Sequence, residues 1–335
     1  MLGFSIFAAA AMPGAFAARA GGGPLCSATA EALFSACRAS AAGDAFVAKA
    51  KCLNLADDDA RDECLDDLVS DRTEEERLCG RMRDGRRAAC RLLGERAYDP
   101  EIDPSQFDDS RSPTHANSYF PITIGNRWDY TSSSGETDTV EIVDETKLIN
   151  DVTCVVARDH VEKPDGEAEH TDDWYVQAND GAVWYFGEEV KNFETFDGDD
   201  PQHGELVSID GSFKWGRDGD KGGIIFPAVP RRGDVYLEEF SLGNAEDVTE
   251  VLSTTYGYGG DRALNRNVPR ALADLLCSHD CVVTKNYSLL EPGVFARKYY
   301  ARGIGVFLEI EVNTGEVVQL VDCNFDTRCA GLPQP

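Results

Sequence analysis

The N-terminal part of the chain has the pattern of helices. Residues 26–95 are rich in Ala, Leu, Arg, Glu and Asp, and no proline occurs between Pro24 and Pro100. This composition favours helix because most of these side chains lose little freedom in it and no proline interrupts the backbone hydrogen bonds. Turn-like residues at Gly43-Asp44 and Asp71-Arg72-Thr73 divide the segment. The pattern therefore predicts an up-down-up bundle of three helices.

From Tyr119 onward, apolar residues recur in short runs that Gly, Asn and Asp separate, which is typical of strands. Many short strands with little helix between them indicate an antiparallel meander, a barrel or a strongly curved sheet. Residues 258–280 are the exception, and Asn267–Leu276 is predicted to form one short helix. The predicted strands are 127–131, 138–144, 153–160, 173–178, 182–187, 235–240, 247–253, 281–287, 294–301, 305–312 and 316–321.

Together these patterns predict an α+β protein, in which a small disulfide-linked helical module precedes a large antiparallel β domain built as a curved sheet or barrel. The predicted organisation is a signal peptide at 1–20, a cysteine-rich helical module at 21–97, a linker at 98–117, the β domain at 118–325 and a tail at 326–335. The linker is assigned because this stretch is rich in Pro, Asp and Ser.

The clearest local prediction is a β-hairpin at 173–187. Asp180-Gly181 suits a two-residue type I′ turn, in which both turn residues have positive φ. In that register one face carries Trp174, Val176, Ala178, Val183 and Tyr185, and the other carries Tyr175, Gln177, Trp184 and Phe186. Because both faces are apolar and aromatic, we expect the hairpin to be covered on both sides.

The first twenty residues resemble a signal peptide, with an apolar region at 2–12 followed by small-x-small cleavage candidates at Ala15–Ala17 and Ala18–Ala20. Later stretches never reach the ~18 apolar residues that a transmembrane helix needs, so no other membrane span is predicted. The predicted location is therefore secreted or periplasmic.

Eleven cysteines without a C-x-x-C pair indicate disulfides in an exported protein. In the three-helix bundle, Cys37 lies near Cys52 and Cys64 lies near Cys79, while Cys26 and Cys90 are left at opposite ends. Six cysteines allow 15 connectivities, so the pairing in the module stays open. In the β domain the predicted bonds are Cys154–Cys281 and Cys323–Cys329, which leaves Cys277 as the odd thiol.

Charge and composition exclude several classes of protein. A net charge of −28 repels nucleic acid and anionic membranes. Hydrophobic and aromatic contents of 42% and 9% are globular values and exclude global disorder.

Acidic loops at 197–200 and 218–220 suggest at most weak calcium binding, because neither follows the EF-hand spacing.

Motifs for nucleophilic, zinc or nucleotide chemistry do not occur, so no catalytic residue, cofactor or metal site is assigned. His160 and His170 are predicted to face each other across a hairpin, as a polar hairpin end rather than a metal site. The acidic pairs 172–173, 188–189 and 238–239 arise by chance in a chain with 60 acidic residues. Aromatic side chains are either core or the wall of a ligand site, and the candidates are Trp128, Trp174, Tyr175, Trp184 and Phe186.

Several sequence runs resemble a family of uncharacterised secreted bacterial proteins with a cysteine-rich helical segment and a β domain. The runs are Tyr119-Phe120-Pro121, 125–130 (GNRWDY), 152–156 (VTCVV), 173–188 (DWYVQANDGAVWYFGE) and 298–306 (KYYARGIGV). The resemblance covers roughly residues 60–321 and departs from the family at 254–280, where a shorter turn is expected. It implies architecture and export, and it implies no chemistry.

These observations favour a non-enzymatic envelope or extracellular protein that binds an apolar or amphipathic molecule, or an envelope protein partner, in a cavity of the curved sheet. The alternatives are a hydrolase acting on a cell-envelope polymer and a purely structural surface protein. An aromatic-lined pocket would favour binding, whereas two carboxylates ~5–9 Å apart in a cleft would favour the hydrolase. A solid core would favour the structural role.

Overall fold

The computed structural model describes residues 23–114 and 116–335. The predicted signal peptide at 1–20 lies outside the described residues. The α+β class is confirmed: an N-terminal helical hairpin precedes a large antiparallel sheet. None of the helices in the described part of the chain combines the length and apolar character needed to cross a bilayer.

The cysteine-rich module has two long helices, α1 (Leu25–Leu53) and α2 (Asp58–Leu93), and not the predicted three. Both predicted turns lie inside helices, because a single glycine costs a helix only ~1 kcal/mol and the surrounding residues are good helix formers. The chain reverses after Asn54, and the Asp57 side chain begins α2 by accepting a hydrogen bond from the Ala60 amide.

Three disulfides join the two helices, and they correct the predicted pairs Cys37–Cys52 and Cys64–Cys79. Because the helices are continuous, Cys37 and Cys52 lie ~22 Å apart along α1 and cannot bond. The bonds run across the hairpin as nested rungs, namely Cys26–Cys90, Cys37–Cys79 and Cys52–Cys64. The hairpin buries few apolar side chains, so these bonds supply much of its cohesion.

The β domain is built from fifteen strands. Three of them, between residues 205 and 226, were not predicted, because glycine and aspartate repeatedly interrupt the apolar pattern of that stretch. The strands are β1 (Arg127–Ser132), β2 (Thr137–Ile149), β3 (Val152–Glu162), β4 (Ala168–Gln177), β5 (Val183–Glu194), β6 (Glu205–Ser208), β7 (Phe213–Lys214), β8 (Lys221–Phe226), β9 (Val235–Leu237), β10 (Glu239–Phe240), β11 (Asp247–Tyr256), β12 (Cys281–Ser288), β13 (Ala296–Ala301), β14 (Gly305–Glu311) and β15 (Val317–Cys323).

The strand order is β10-β8-β5-β4-β3-β2-β1-β15-β14-β13-β12-β11-β9, with β6 and β7 also paired to β5. The two ends of this order, β9 and β10, are consecutive parts of the stretch 235–240. This stretch pairs first with β11 and then with β8, so the sheet returns to itself as a barrel-like structure. A side chain at Gly223 would collide with the Leu237 carbonyl, since its Cβ would lie 2.2 Å from that oxygen.

Two segments cover the outer surface of the sheet. Residues 102–107 pack on β3–β5, where Phe107 forms an isolated bridge with Ala178. The short helix α3 (Arg270–Leu276) and its flanking loops pack on the far side, where the Tyr299 hydroxyl donates to the Leu264 carbonyl at 2.7 Å. These two segments do not cover the inner surface of the barrel.

The cysteines of the β domain bond within short loops. Cys277 pairs with Cys281, and Cys323 pairs with Cys329, which is the second pairing that the sequence predicted. The predicted Cys154–Cys281 bond is wrong, because β3 and β12 are not neighbours in the sheet. Cys154 is therefore the buried free thiol, in place of Cys277.

The helical hairpin docks on the β domain near the closure of the barrel. Ala89 of α2 packs with Leu237, Val248 and Leu289 in one buried cluster. After α2 the chain runs along the domain, and the Tyr98 hydroxyl donates to the Gly222 carbonyl at 3.0 Å.

Candidate ligand cavity

The aromatic hairpin closes through a three-residue loop, and the predicted two-residue turn is wrong. The Ala178 amide donates to the Ala182 carbonyl at 2.8 Å across Asn179-Asp180-Gly181. Within this loop only Gly181 has a positive φ, of 96°. This is the pattern of a type I turn followed by a left-handed glycine, which Asp-Gly serves as well as a type I′ turn.

The longer loop moves the pairing by one residue. Tyr175 is opposite Tyr185, and Val176 is opposite Trp184. Residues opposite each other in neighbouring strands lie on the same face of the sheet. Trp184 therefore shares a face with Val176, and Tyr185 shares a face with Tyr175, which is the reverse of the predicted grouping. As expected from the sequence, both faces are covered.

Three of the five predicted ligand-binding residues, Trp174, Trp184 and Phe186, lie on the outer face. They pack in one cluster with Trp215. The ring of Phe107 lies 6.3 Å from that of Trp184 and 5.5 Å from that of Phe186. The chain itself covers these rings, so they form the core of the outer layer and do not line the cavity.

The other two predicted residues, Trp128 and Tyr175, lie on the inner face and line a cavity. Trp128 is anchored because its Nε1 donates to the Ile304 carbonyl at 2.7 Å. Tyr175 stacks on Tyr185 with 4.9 Å between ring centroids. The structure therefore brings together two of the five residues.

The cavity lies inside the barrel and has a volume of about 210 Å³. Its wall comes from strands on opposite sides of the barrel and from the segment 120–122. Aromatic rings form much of it, and they are those of Phe120, Trp128, Tyr130, Tyr175 and Tyr300. Charged side chains interrupt the apolar surface, and they are Asp138, Asp159, Asp173, Lys298 and Glu309.

Asp138 on β2 and Asp159 on β3 form a carboxyl pair in this wall. They are diagonal neighbours, since Asp138 is opposite Val161 and Val140 is opposite Asp159. The two carboxyl groups lie within hydrogen-bonding reach of each other, an arrangement that favours one proton shared between them. Burial raises the pKa of both groups, and the charge of Asp159 raises that of Asp138 further.

A second acidic group lies beside the first. Asp173 is 7% exposed, and the Tyr185 hydroxyl donates a hydrogen bond to it. Asp173 is opposite Glu188 across β4 and β5. Burial and then the charge of Glu188 raise the pKa of Asp173 well above its ordinary value. The interior therefore favours the protonated form of its carboxyl groups.

Lys298 is the one basic side chain among the described residues that line the cavity. Its Nζ lies 3.8 Å from a carboxylate oxygen of Glu309 on the neighbouring strand. The side chains of Lys298 and Glu309 are 30% and 36% exposed although both lie inside the barrel, because this surface faces the cavity.

Glu238 lies where the closing stretch passes from β9 to β10. It is 5% exposed and accepts hydrogen bonds from the Thr249 hydroxyl and, at 2.8 Å, from Asn286 Nδ2. Burial raises the pKa of Glu238 to about 7. Of the acidic pairs seen in the sequence, 172–173 and 188–189 each contribute one residue to the interior. The pair 238–239 contributes both, since burial and the charge of Glu188 also raise the pKa of Glu239.

Sequence reasoning did not find Asp138, Asp159, Lys298 or Glu309. A usable signal was present in the period-two pattern, since Asp138 shares a face with the apolar Val140 and Ile142. In a chain this acidic, however, an aspartate in a strand suggests the solvent side. The inward face becomes evident only from the closed strand order.

The other polar candidates lie elsewhere. His160 and His170 face each other as predicted, with ring centroids 4.3 Å apart, at an outer hairpin end. The described residues contain no group of three or more His, Cys, Asp or Glu side chains arranged to hold a metal. Weak calcium binding by the loops at 197–200 and 218–220 stays a prediction.

Comparisons with known proteins add little to this geometry. Protein-family models give no match, and curated protein sequences give none either. A crystal structure of a candidate lipoprotein from Parabacteroides distasonis is similar over 63% of this chain and 100% of that chain, with 10% identity and a TM-score of 0.27. This likeness is too weak to support a statement about fold or function.

Proposed function

We propose that this is an extracytoplasmic, non-enzymatic protein that binds a small amphipathic molecule inside its barrel. The observation that supports the proposal is the cavity, whose aromatic walls are interrupted by a few charged side chains. Five disulfides support the location, because such bonds persist in oxidising compartments. Membership of the secreted bacterial family that the sequence resembles is part of the proposal.

The same cavity weighs against the two alternatives. A retaining or inverting glycosidase needs its two carboxyl groups ~5–9 Å apart with substrate between them, and the Asp138–Asp159 pair is too close to serve as that pair. A purely structural barrel has no need of an interior lined with carboxyl groups, since burying them costs stability.

Filling the cavity tests the proposal. Val140 lines the cavity, and its neighbour Glu141 is exposed on the same strand. We expect Val140→Trp to abolish the binding of small amphipaths such as 1-hexanol, measured by calorimetry, while Glu141→Trp leaves it unchanged. Equal binding by both variants, or no binding of any amphipath by the wild-type protein, would contradict the proposal.

A further inference from the structure

The carboxyl pair of Asp138 and Asp159 lacks the hydrogen-bond donors that usually surround a buried carboxylate with a purely structural role. The Oδ1 atoms of Asp138 and Asp159 are buried, and apart from the contact between the two carboxyl groups themselves no amide, hydroxyl, ammonium or guanidinium donor in the described part of the chain reaches them. Structural buried carboxylates normally accept bonds from amides, hydroxyls or guanidinium groups. Glu238, with its Thr249 and Asn286 donors, shows that this fold provides such partners where it needs them.

The one basic side chain among the described residues of the cavity wall is shared between several acidic groups. Lys298 pairs with Glu309 at 3.8 Å, and its single positive charge is also shared with Glu238 and Asp159. Asp138, Asp159 and Asp173 therefore outnumber the positive charge available to them in the wall. An anionic ligand would meet this excess of carboxyl groups, whereas a cationic ligand would relieve it.

Aromatic rings surround the same space. Tyr130 and Tyr175 line the cavity together with the carboxyl pair, and Tyr300 closes it from the opposite strands. The Tyr130 hydroxyl donates to the Val306 carbonyl at 3.0 Å, which fixes the position of its ring. Aromatic faces next to carboxylates are the combination that recognises organic ammonium groups.

We propose that the cavity binds a small organic cation, an alkylammonium whose nitrogen lies against Asp138 and Asp159 and takes the place of their shared proton. This inference rests on the proposed function and names the class of ligand. A metal ion fits the site less well, because the described residues offer no cluster of three ligands and the rings supply none.

The volume limits the size of the ligand. A cavity of about 210 Å³ corresponds to roughly seven water molecules at ~30 Å³ each. Three probes with seven non-hydrogen atoms match this space and differ in charge: hexylammonium, 1-hexanol and pentanoate. Each is measured by calorimetry at pH 8 on the full chain with its disulfides intact.

We expect hexylammonium to bind at least tenfold more tightly than 1-hexanol, and pentanoate to bind most weakly. If 1-hexanol or pentanoate binds as tightly as hexylammonium, the ligand class is wrong while the proposed function stands. If none of the three binds, the proposed function fails and the inference fails with it.

Proton release gives a second readout that needs no variant. Since the ammonium replaces the shared proton, binding should release protons, and its measured heat should differ between phosphate and Tris buffers at one pH. The affinity for hexylammonium should also rise at least tenfold from pH 5 to pH 8. Proton uptake, or no exchange, would overturn the inference.

The double variant Asp138→Asn/Asp159→Asn assigns the effect to the carboxyl pair. It should lose the tenfold preference for hexylammonium and retain its affinity for 1-hexanol, which shows that the cavity is intact. The matched control is Glu141→Gln, which removes an exposed carboxylate from the same strand as Asp138. An unchanged preference in the double variant would contradict the inference.

Discussion

Arg86 of α2 and Glu246, which directly precedes β11, form a buried ion pair with two hydrogen bonds. Arg86 Nε and Nη2 donate to Glu246 Oε2 and Oε1, each at 2.7 Å. The two side chains are 6% and 2% exposed, and the Gly243 amide also donates to the Glu246 carboxylate. The pair thus fixes the helical hairpin to the β domain beside the apolar contact of Ala89.

Removing one partner of this pair should be costly. Arg86→Ala leaves the Glu246 charge buried without its cation, and we expect a loss of ~3–5 kcal/mol in the free energy of unfolding. The control is Arg87→Ala, because Arg87 pairs with Glu31 at 3.4 Å where both side chains are about half exposed. That change should cost less than ~1 kcal/mol. Equal effects in urea unfolding would contradict the assignment.

The middle rung of the helical hairpin should matter for its stability. Replacing Cys37 and Cys79 by alanine opens a bond with a sequence separation of 42. We expect a loss of ~2–4 kcal/mol, seen as earlier loss of helical circular dichroism on heating. Non-reducing peptide mapping of the wild-type chain should recover the 37–79 linkage. Recovery of a 37–52 linkage would show that the helices are arranged differently.

Cys154 should be the thiol that remains after the five disulfides form. It is fully buried, and burial raises the pKa of its thiol well above the ordinary value. A maleimide reagent should therefore leave the native protein unlabelled and modify Cys154 after denaturation without reductant. Labelling at Cys277 instead would contradict the Cys277–Cys281 bond.

Trp174 and Tyr175 are neighbours on β4 with opposite roles. Trp174 is 4% exposed in the outer cluster, with the Lys147 ammonium 3.8 Å from its ring centroid. Trp174→Leu should lower the free energy of unfolding by ~2–4 kcal/mol and leave the affinity for hexylammonium unchanged. Tyr175→Leu should lower that affinity at least tenfold, because Tyr175 lines the cavity. The reverse pattern would show that the hairpin faces are misassigned.

Stability without ligand should fall as the pH rises. Burial raises the folded-state pKa of Glu238 from its ordinary 4.5 to about 7, so the folded protein binds this proton more tightly than the unfolded chain does. The resulting stability is fully present below about pH 4.5 and is lost as the pH rises through about 7. For Glu238 alone the difference is on the order of 3 kcal/mol.

The raised pKa values of Asp138, Asp159 and Asp173 extend this loss to higher pH. Denaturant unfolding at pH 5, 7 and 9 measures the slope, and Glu238→Gln should make it shallower. A free energy of unfolding that increases from pH 5 to pH 9 would mean that these carboxyl groups are ionised and paired in the folded protein.

Local patterns were enough to predict the α+β class, the helical start of the chain and most strands, since these depend on residues close in sequence. The Cys323–Cys329 bond was predictable for the same reason. The intervals between the first six cysteines, 11, 15, 12, 15 and 11 residues, are symmetric about one reversal of the chain. That symmetry was an unused signal for the nested pairs Cys26–Cys90, Cys37–Cys79 and Cys52–Cys64.

The sequence by itself determined most of the segments that are helix or strand, but only the tertiary structure decided which side of each strand faces the cavity. An aspartate such as Asp159 has the same local pattern whether it faces solvent or the barrel interior. The choice depends on the closing of the sheet through 235–240, where strands distant in sequence become neighbours. The one-residue difference in the hairpin loop likewise decided that Trp184 faces outward and Tyr185 inward, because side chains alternate with a period of two.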